Sequence, residues 1–338
     1  MSTSTRHDIA GLGNAIVDAL VRIEDDSILD EYSLPRGHSY PIPHNQWETM
    51  FERLKSQHPD IQSGGSCANS ICALGLMGAN AIYCGQVGDD ELGKLYTRSV
   101  QDACGQHAIR VSDTLPTGKC LSLISASDAE RTMLTDLSAA IHLPGLGDFK
   151  ETIHNSRILH LTGYLLLGDP MLSRAMEAIQ IAKAAGIPVS IDAADPFVVE
   201  TLGEKMWDIL TEHADIVFLN AHEATALCGT NTPEAAFNEI APRIQTTIVK
   251  LGKDGSLVGH DGKTVRVQAH VVNAVDTTGA GDAYAAGFLY GMLNGWPLEN
   301  AGDLGSRVAA LTVAQIGAVV RDRDRLAEAV AAAAPRDA

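Results

Sequence analysis

Two carboxylates bracket a turn of small residues: Asp276 and Asp282 flank Gly279, Ala280 and Gly281 in the stretch DTTGAGDAYAAGFLYGMLNG. The residues that follow have an amphipathic helical pattern, which predicts a helix starting near residues 280–282. Unpaired amides at such a start, together with the partial positive charge of the helix end, form a site for an anion. Glycines there let a ligand approach the backbone with no Cβ between them. An aspartate in the first turn is held ionised by the same dipole and can accept a proton. A phosphoryl group on the amides, with a carboxylate beside it, would align a hydroxyl for attack. A helix cap would explain Asp282 alone. It would not call for the second aspartate and the three consecutive small residues.

Other suggestive strings fail. GDDELGK, residues 88–94, fits the first seven positions of a nucleotide P-loop, but Leu95 stands where a Ser or Thr hydroxyl must reach magnesium. Its loop also carries Asp89, Asp90 and Glu91, which repel phosphate. GLGNAI places Ile16 where a dinucleotide fingerprint needs its third glycine. His222-Glu223 has no second histidine at the spacing of a zinc protease, and no His or Cys cluster has metal-ligand spacing. Asn14 and Asp18 lie four apart on a predicted strand and so share one face, either solvated or turned to a ligand.

The elements that must position these residues alternate. NAIYCGQVG reads as a strand and DDELGKLYTRSVQDA as a helix; SRILHLTGYLL, PMLSRAMEAIQIAKAAG and IPVSIDAA read as strand, helix and strand. PFVVETLGEKMWDILTEH, ADIVFLN and AHEATALCG continue as helix, strand and helix. This rhythm predicts an α/β fold whose mostly parallel central sheet is covered by helices on both faces. Ligands on such sheets gather at the carboxyl ends of strands, and both NAHE and the aspartate-flanked turn, after a strand ending near Val275, follow predicted strands. Residues 14–42 and 107–137 break the rhythm with strand-like polar stretches. They are expected to form a small β-sheet lid within a single domain spanning residues 1–338. SLVGHDGKTVRVQAHVV is a hairpin candidate turning at Asp261-Gly262. The alanine-rich end reads as a helix that frays into a tail.

Composition limits the partners. The 338 residues are 45% hydrophobic, and no apolar run approaches the ~18–20 residues of a membrane span. Cys67, Cys72, Cys84, Cys104, Cys120 and Cys228 form no CxxC pair and read as reduced core residues; with no basic-then-apolar leader in MSTSTRHDIAG, a cytoplasmic protein is expected. A net charge of −17 without clustered Lys and Arg argues against nucleic acid. A polyphosphate would have to be held by local amides and a divalent cation against an unfavourable overall field.

The string Asp276 to Asp282 resembles the DTxGAGD motif of the PfkB, or ribokinase-like, carbohydrate and nucleoside kinases. GGSCANSICALGLMGANAIYCGQVGDDELGK is similar to that family's N-terminal motif, with Gly64, Gly65 and Asn69 at positions that bind substrate hydroxyls. Asn220 to Glu223 resembles its NxxE motif. VKLGKDG is similar to its nucleotide-binding TxGxxG stretch, with Lys250 at the threonine position and Gly252 and Gly255 after it. These motifs keep the family order from about residue 8 to about 320. The resemblance implies a ribokinase-like three-layer α/β/α domain, with Asp282 as catalytic base and the amides of Gly279, Ala280 and Gly281 as anion hole. It implies ATP as donor, Mg²⁺ held mostly by ATP and water with Glu223 acting through water, and K⁺ as a further ion in the loop of Asp276. Asn14 and Asp18 match positions that bind the acceptor.

Three features look most like the adenosine-kinase branch: GNAIVDALV, the long interval from Asp18 to Gly64 with a predicted helix in NQWETMFERL, and PTGKC…ERTMLTDLSAA. The likeness implies Arg131 as a mobile cation over the phosphates, the alternative being a surface arginine. TDLSAA departs from that branch and no aromatic pair to sandwich a purine is identified; Tyr164 is a candidate for one member, a buried structural tyrosine being the commoner reading. The expected activity is ATP-dependent phosphorylation of a primary hydroxyl on an adenosine-like nucleoside. Ribose, fructose or 2-keto-3-deoxygluconate are alternative acceptors, and a catalytically idle nucleoside- or sugar-binding relative is a second alternative. Either a monomer or a homodimer is compatible with the resemblance.

Overall fold

The computed structural model describes residues 6–127 and 130–335. Residues 1–5 of the leader reading and residues 336–338 of the predicted tail lie outside the described residues. One eight-stranded sheet runs in the order β15 (Lys263–Val267), β14 (Ser256–His260), β13 (Thr246–Lys250), β12 (Ile216–Asn220), β11 (Val189–Asp192), β10 (Leu159–Thr162), β1 (Ile9–Leu12), β5 (Ala81–Cys84). Neighbours from β13 to β5 pair in parallel, while β13, β14 and β15 pair antiparallel. Strand alternation then divides the core in two. Ile216 and Phe218 of β12 join the layer of helices Ser66–Leu76, Ala280–Leu293 and Leu298–Val313. Val217 and Leu219 join the layer of helices Met171–Ala184 and Glu204–His213. The parallel sheet is thus buried on both faces, as the β/α rhythm predicts.

A second sheet runs β3 (Ser39–Pro41), β9 (Arg131–Asp136), β8 (Gly118–Ser125), β2 (Ile16–Ile23), β4 (Asp60–Gly64). It draws on both irregular segments and adds β4, which lies outside them. Helix His44–Leu54 covers one face, packing Trp47, Met50 and Leu54 against Ala19, Val21, Leu121 and Leu134. Trp47 stacks on Phe51 with ring centres 4.7 Å apart. The Lys119 ammonium lies 4.7 Å over the same Trp47 ring, on a Lys side chain that is otherwise buried. Alternation leaves Asp18, Arg131 and Met133 on the opposite face, toward a cavity shared with the main sheet.

Several elements differ from their expected form. NAIYCGQVG breaks at Gly85 into β5 and β6 (Gln86–Gly88), and β6 pairs with β7 (Arg110–Ser112) in a separate ladder. The helix expected over residues 196–213 is two, Pro196–Leu202 and Glu204–His213, because Gly203 takes a φ of +53°. SRILHLTGYLL stays extended to Thr162 and then coils into a 3₁₀ turn, Gly163–Leu167. The strand expected to end near Val275 is absent among the described residues: after β15 the chain is irregular from 268 to 276. The run joins no sheet, and Val271, Val272 and Val275 are 76%, 42% and 58% exposed. Asn14 lies in the connection before β2 rather than on it, since pairing begins at Ile16. The hairpin does turn at Asp261-Gly262, both at positive φ as a two-residue type I′ turn requires. All six cysteines are free, but Cys104 and Cys228 are only partly buried. Among the described residues no helix is long and apolar enough to cross a membrane.

Helix Ala280–Leu293 is not the amphipathic helix expected. Every residue from Ala283 to Leu289 is buried, because helices Ser66–Leu76 and Leu298–Val313 flank it on two sides. Small residues allow this. A Cβ on Gly287 would come within 2.8 Å of Gly305 Cα, and one on Gly291 within 2.7 Å of Ala301 Cα. Gly287→Val should therefore overpack the seam and cost about 1–3 kcal/mol. The expected result is a lower urea midpoint with an unchanged slope; a wild-type midpoint would mean that the seam is loose.

Candidate active site

The carboxyl ends of the parallel strands open onto a cavity of about 840 Å³ roofed by the small sheet. Asp192 ends β11, Asn220 ends β12 and Lys250 ends β13, with Asn220 and Lys250 directly paired. This is where a parallel sheet leaves backbone and side chains free for a ligand.

Asp282 is the third residue of its helix and faces helix Ser66–Leu76. Ser66 Oγ donates to Asp282 Oδ1 at 2.6 Å and Asn69 Nδ2 donates to Oδ2 at 2.8 Å. Ser70 Oγ adds a bond to the Asp282 carbonyl at 3.1 Å. Asn69, expected on the substrate, lines the cavity and holds the carboxylate. Burial pushes Asp282 up to about 6, against the lowering effect of the Ser66 and Asn69 donors. Desolvation thus lifts the carboxyl above its ordinary value yet leaves it below neutrality, so the group is still mostly ionised at pH 7, as the base role expected from the sequence requires.

The preceding turn has the expected shape. Gly279 takes a φ of +74°, and a Cβ there would lie 2.5 Å from Ala318 Cβ, so this position needs glycine on two counts. Among the described residues the amides of Gly279 and Gly281 meet no protein acceptor, whereas the Ala280 amide donates to Thr277 O at 3.3 Å. Two of the three expected amides are therefore fully available to an anion.

Lys250 Nζ donates to Asp192 Oδ2 at 2.8 Å and would stand 3.1 Å from a Cβ on Gly281. Gly252 and Gly255, in the turn after β13, line the same cavity. Asn220 and Glu223 form a capping box: Asn220 Oδ1 accepts from the Glu223 amide at 2.8 Å, and Glu223 Oε2 from the Asn220 amide at 2.7 Å. Glu223 is only 2% exposed, and burial pushes it up to about 7, against the attraction of Lys250. Among the described residues no three of His, Cys, Asp and Glu gather as a metal cage.

Across the cavity, burial pushes Asp18 up to about 7, with Arg131 opposing and the negative charges of Asp282 and Asp276 adding to the rise. Gly64 must lack a side chain here, since its Cβ would fall 2.0 Å from Asp18 Oδ2. Gly65, at a φ of +89°, would place one 2.3 Å from Asn14 O. Asn14 does not line the cavity, but its Oδ1 is buried with no hydrogen-bond partner among the described residues. Arg131 is not an exposed surface residue: Nη2 pairs with Asp276 Oδ2 at 2.6 Å and Nη1 reaches Thr278 Oγ1. Asp276 also accepts from the amides of Thr278 and Gly317, at 2.9 and 3.0 Å. Burial raises its pKa, but these amides and Arg131 outweigh it and hold the carboxyl below its ordinary range.

Ser66, Asp192, Thr278 and Asp195 were not anticipated. Ser66 stood within the quoted GGSCAN string, and Asp192 at the carboxyl end of a predicted strand, where the parallel-sheet rule directs attention. Tyr164 is no buried structural tyrosine; it is 36% exposed on the cavity wall and donates to Asp195 Oδ2 at 3.3 Å.

Comparison with known proteins bears on this cavity. The profile of the pfkB family carbohydrate kinases matches residues 50–323. The crystal structure of adenosine kinase from Sinorhizobium meliloti superposes with a TM-score of 0.86 at 33% identity, covering 97% of this chain and all of that one. A probable sugar kinase from Rhizobium etli gives 0.85 at 30% identity, over 97% of this chain and 99% of that one. Adenosine kinase of Saccharomyces cerevisiae is 26% identical over 330 residues, 90% of this chain and 94% of the yeast protein.

Burial of Asp282 carries a signature in stability. Its folded pKa of about 6 lies above the ordinary 3.8, so its contribution to stability is complete below 3.8 and lost as pH rises through about 6. Above that window the ionised group costs the fold on the order of 3 kcal/mol. Asp282→Asn should unfold at a higher urea concentration than wild type at pH 8, by about 1–2 kcal/mol once weakened hydrogen bonds are subtracted. The advantage should vanish toward pH 4. Equal midpoints at both pH values would show that the carboxylate is not desolvated.

Proposed function

The chain belongs to the pfkB family of carbohydrate kinases, and we propose that it transfers the γ-phosphoryl group of ATP to a primary hydroxyl of an adenosine-like nucleoside. One observation carries the reading: a half-buried carboxylate, caged by Ser66 and Asn69, sits one residue beyond a turn whose Gly279 and Gly281 amides are free among the described residues. Base and anion site are then part of one helix start. The likeness to an adenosine kinase along nearly the whole chain supports a nucleoside acceptor. A nearly equal likeness to a probable sugar kinase supports a free sugar as the second reading.

In this mechanism Asp282 aligns the acceptor hydroxyl and takes its proton, while Ser66 and Asn69 keep both carboxylate oxygens aimed. The Gly279 and Gly281 amides, with the weakly engaged Ala280 amide, stabilise charge on the transferring oxygens. Asp18 and the partnerless Asn14 Oδ1 accept from acceptor hydroxyls, with the bare backbone at Gly64 and Gly65 leaving room. Arg131 covers the phosphates as the small sheet closes like a lid. Asn220, Lys250, Gly252 and Gly255 flank the donor nucleotide. Both Glu223 oxygens already accept from Asn220, which fits a role through water on Mg²⁺; when bound, that ion neutralises the phosphate oxygens. Asp276 shapes the loop in which K⁺ would sit.

An ADP-release assay with Mg·ATP tests this against adenosine, inosine, guanosine, cytidine, ribose, fructose and 2-keto-3-deoxygluconate. Adenosine or a close analogue is expected to turn over; activity on free sugars alone overturns the nucleoside assignment, and silence throughout favours an idle binding protein. Asp282→Asn should lower kcat by about 10²- to 10⁴-fold, the usual share of a general base. Because the ionised form is the base, wild-type kcat should fall about tenfold per pH unit below about 6. A flat profile between pH 4 and 7 would remove Asp282 from that role.

A further inference from the structure

The position where the family's nucleotide motif carries threonine holds a lysine here, and its ammonium is not turned away from the chemistry. Lys250 ends β13, and its side chain is 13% exposed beside an Asp192 that is 4% exposed. The ammonium is 2.8 Å from Asp192 Oδ2 and would be 3.1 Å from a Cβ on Gly281, the residue that joins the free-amide turn to Asp282. An ammonium has three N–H donors. Among the described residues Asp192 is its one protein acceptor, so two donors remain beside the anion turn. Burial pushes the ammonium toward neutrality, but Asp192, Glu223 and Asp282 more than offset it and keep Lys250 protonated. In return Lys250 lowers the pKa of both Glu223 and Asp282.

A buried Lys–Asp pair adds little stability that an apolar pair of the same shape could not match. Its placement matters more. Phosphoryl transfer spreads charge over three equatorial oxygens, and a fixed donor in a water-poor site acts most strongly where that charge develops. We propose that Lys250 is a catalytic residue at the point of transfer: its ammonium keeps one N–H on Asp192 and gives a free N–H to a γ-phosphoryl oxygen as the group passes over the Gly279–Gly281 turn. Asp192 is the positioning residue that aims it. The proposal rests on the phosphotransfer reading and deepens it. The acceptor oxygen forms a bond to phosphorus, the bond from phosphorus to ADP breaks with its electron pair going to ADP, and the hydroxyl proton goes to Asp282. Lys250 keeps its protons and its charge throughout.

Steady-state ADP release with Mg·ATP and the preferred wild-type acceptor tests this in Lys250→Met, Lys250→Arg and Lys250→Met/Asp192→Asn, with folding checked by thermal unfolding. Lys250→Met should lower kcat by about 10²- to 10³-fold, as loss of one transition-state donor does, with the KM for ATP changed far less. Its acid limb should move upward from about 6, because Asp282 loses a nearby positive charge. Lys250→Arg should recover part of the loss. The double variant removes both members of the Lys250–Asp192 pair, so neither is left without the other; it should fold, yet stay slow. A raised KM with normal kcat would make Lys250 a ground-state nucleotide contact and overturn the proposal. Normal kcat in the double variant would do the same by leaving only a structural pair. A wild-type protein that phosphorylates no acceptor sinks the phosphotransfer reading itself, whereas an active wild type with an equally active Lys250→Met sinks the lysine's role alone.

Discussion

Helix Ala280–Leu293 lies against helix Ser66–Leu76 closely enough for three side-chain hydrogen bonds, and that closeness governs the arrangement of the cavity. Bulk along the seam would move the helices apart by more than a hydrogen bond can stretch. At the observed approach, a serine and an asparagine from one helix reach both oxygens of Asp282 on the other. Small residues allow a close approach on the far side, where Gly287 meets Gly305, so the helix is fixed from two directions. A carboxylate on such a rigid element can be aimed without a flexible side chain having to search for its geometry.

The charge balance of the cavity is as constrained as its packing. Asp18, Asp192, Glu223 and Asp282 face a common space in a chain of net charge −17. Burial is the main reason that Asp18 and Glu223 rise to about 7 and Asp282 to about 6, and mutual repulsion adds to each. Lys250 and Arg131 offset part of this, each already paired with a carboxylate. Such a site favours a ligand that brings its own cations. It also keeps a base whose pKa lies near the range where proton transfer at neutral pH is most effective.

The β/α rhythm was legible because parallel strands buried on both faces leave continuous apolar runs, as in ADIVFLN. The turn at Asp261-Gly262 was legible because its residues tolerate positive φ. The apolar run VVNAV misled, since apolar side chains make a strand only when the chain pairs with a neighbour, and this run pairs with none among the described residues although β15 is an edge strand. The site's motif residues share one cavity apart from Asn14, Gly64 and Asp276, which adjoin it, but their partners could not be inferred from local patterns. Asn69 turning to Asp282, and Arg131 to Asp276, are contacts between residues 213 positions apart and between different sheets and loops. The rise in the Asp282 pKa was not legible for the same reason: a helix end is visible in one segment, whereas desolvation is a property of everything packed around it.

The bond from Ser66 to Asp282 spans 216 positions of chain. Helices Leu298–Val313 and Arg323–Ala333, which help bury the seam, come later still. During synthesis, therefore, almost the entire polypeptide must have emerged before that carboxylate has anything to hold it. Until then it is an ordinary aspartate in water, fully ionised and attached to nothing that could align a hydroxyl. The acidity of one side chain thus reports on completion of the fold, and a nicked or shortened chain would betray itself by an aspartate that titrates where free aspartates do.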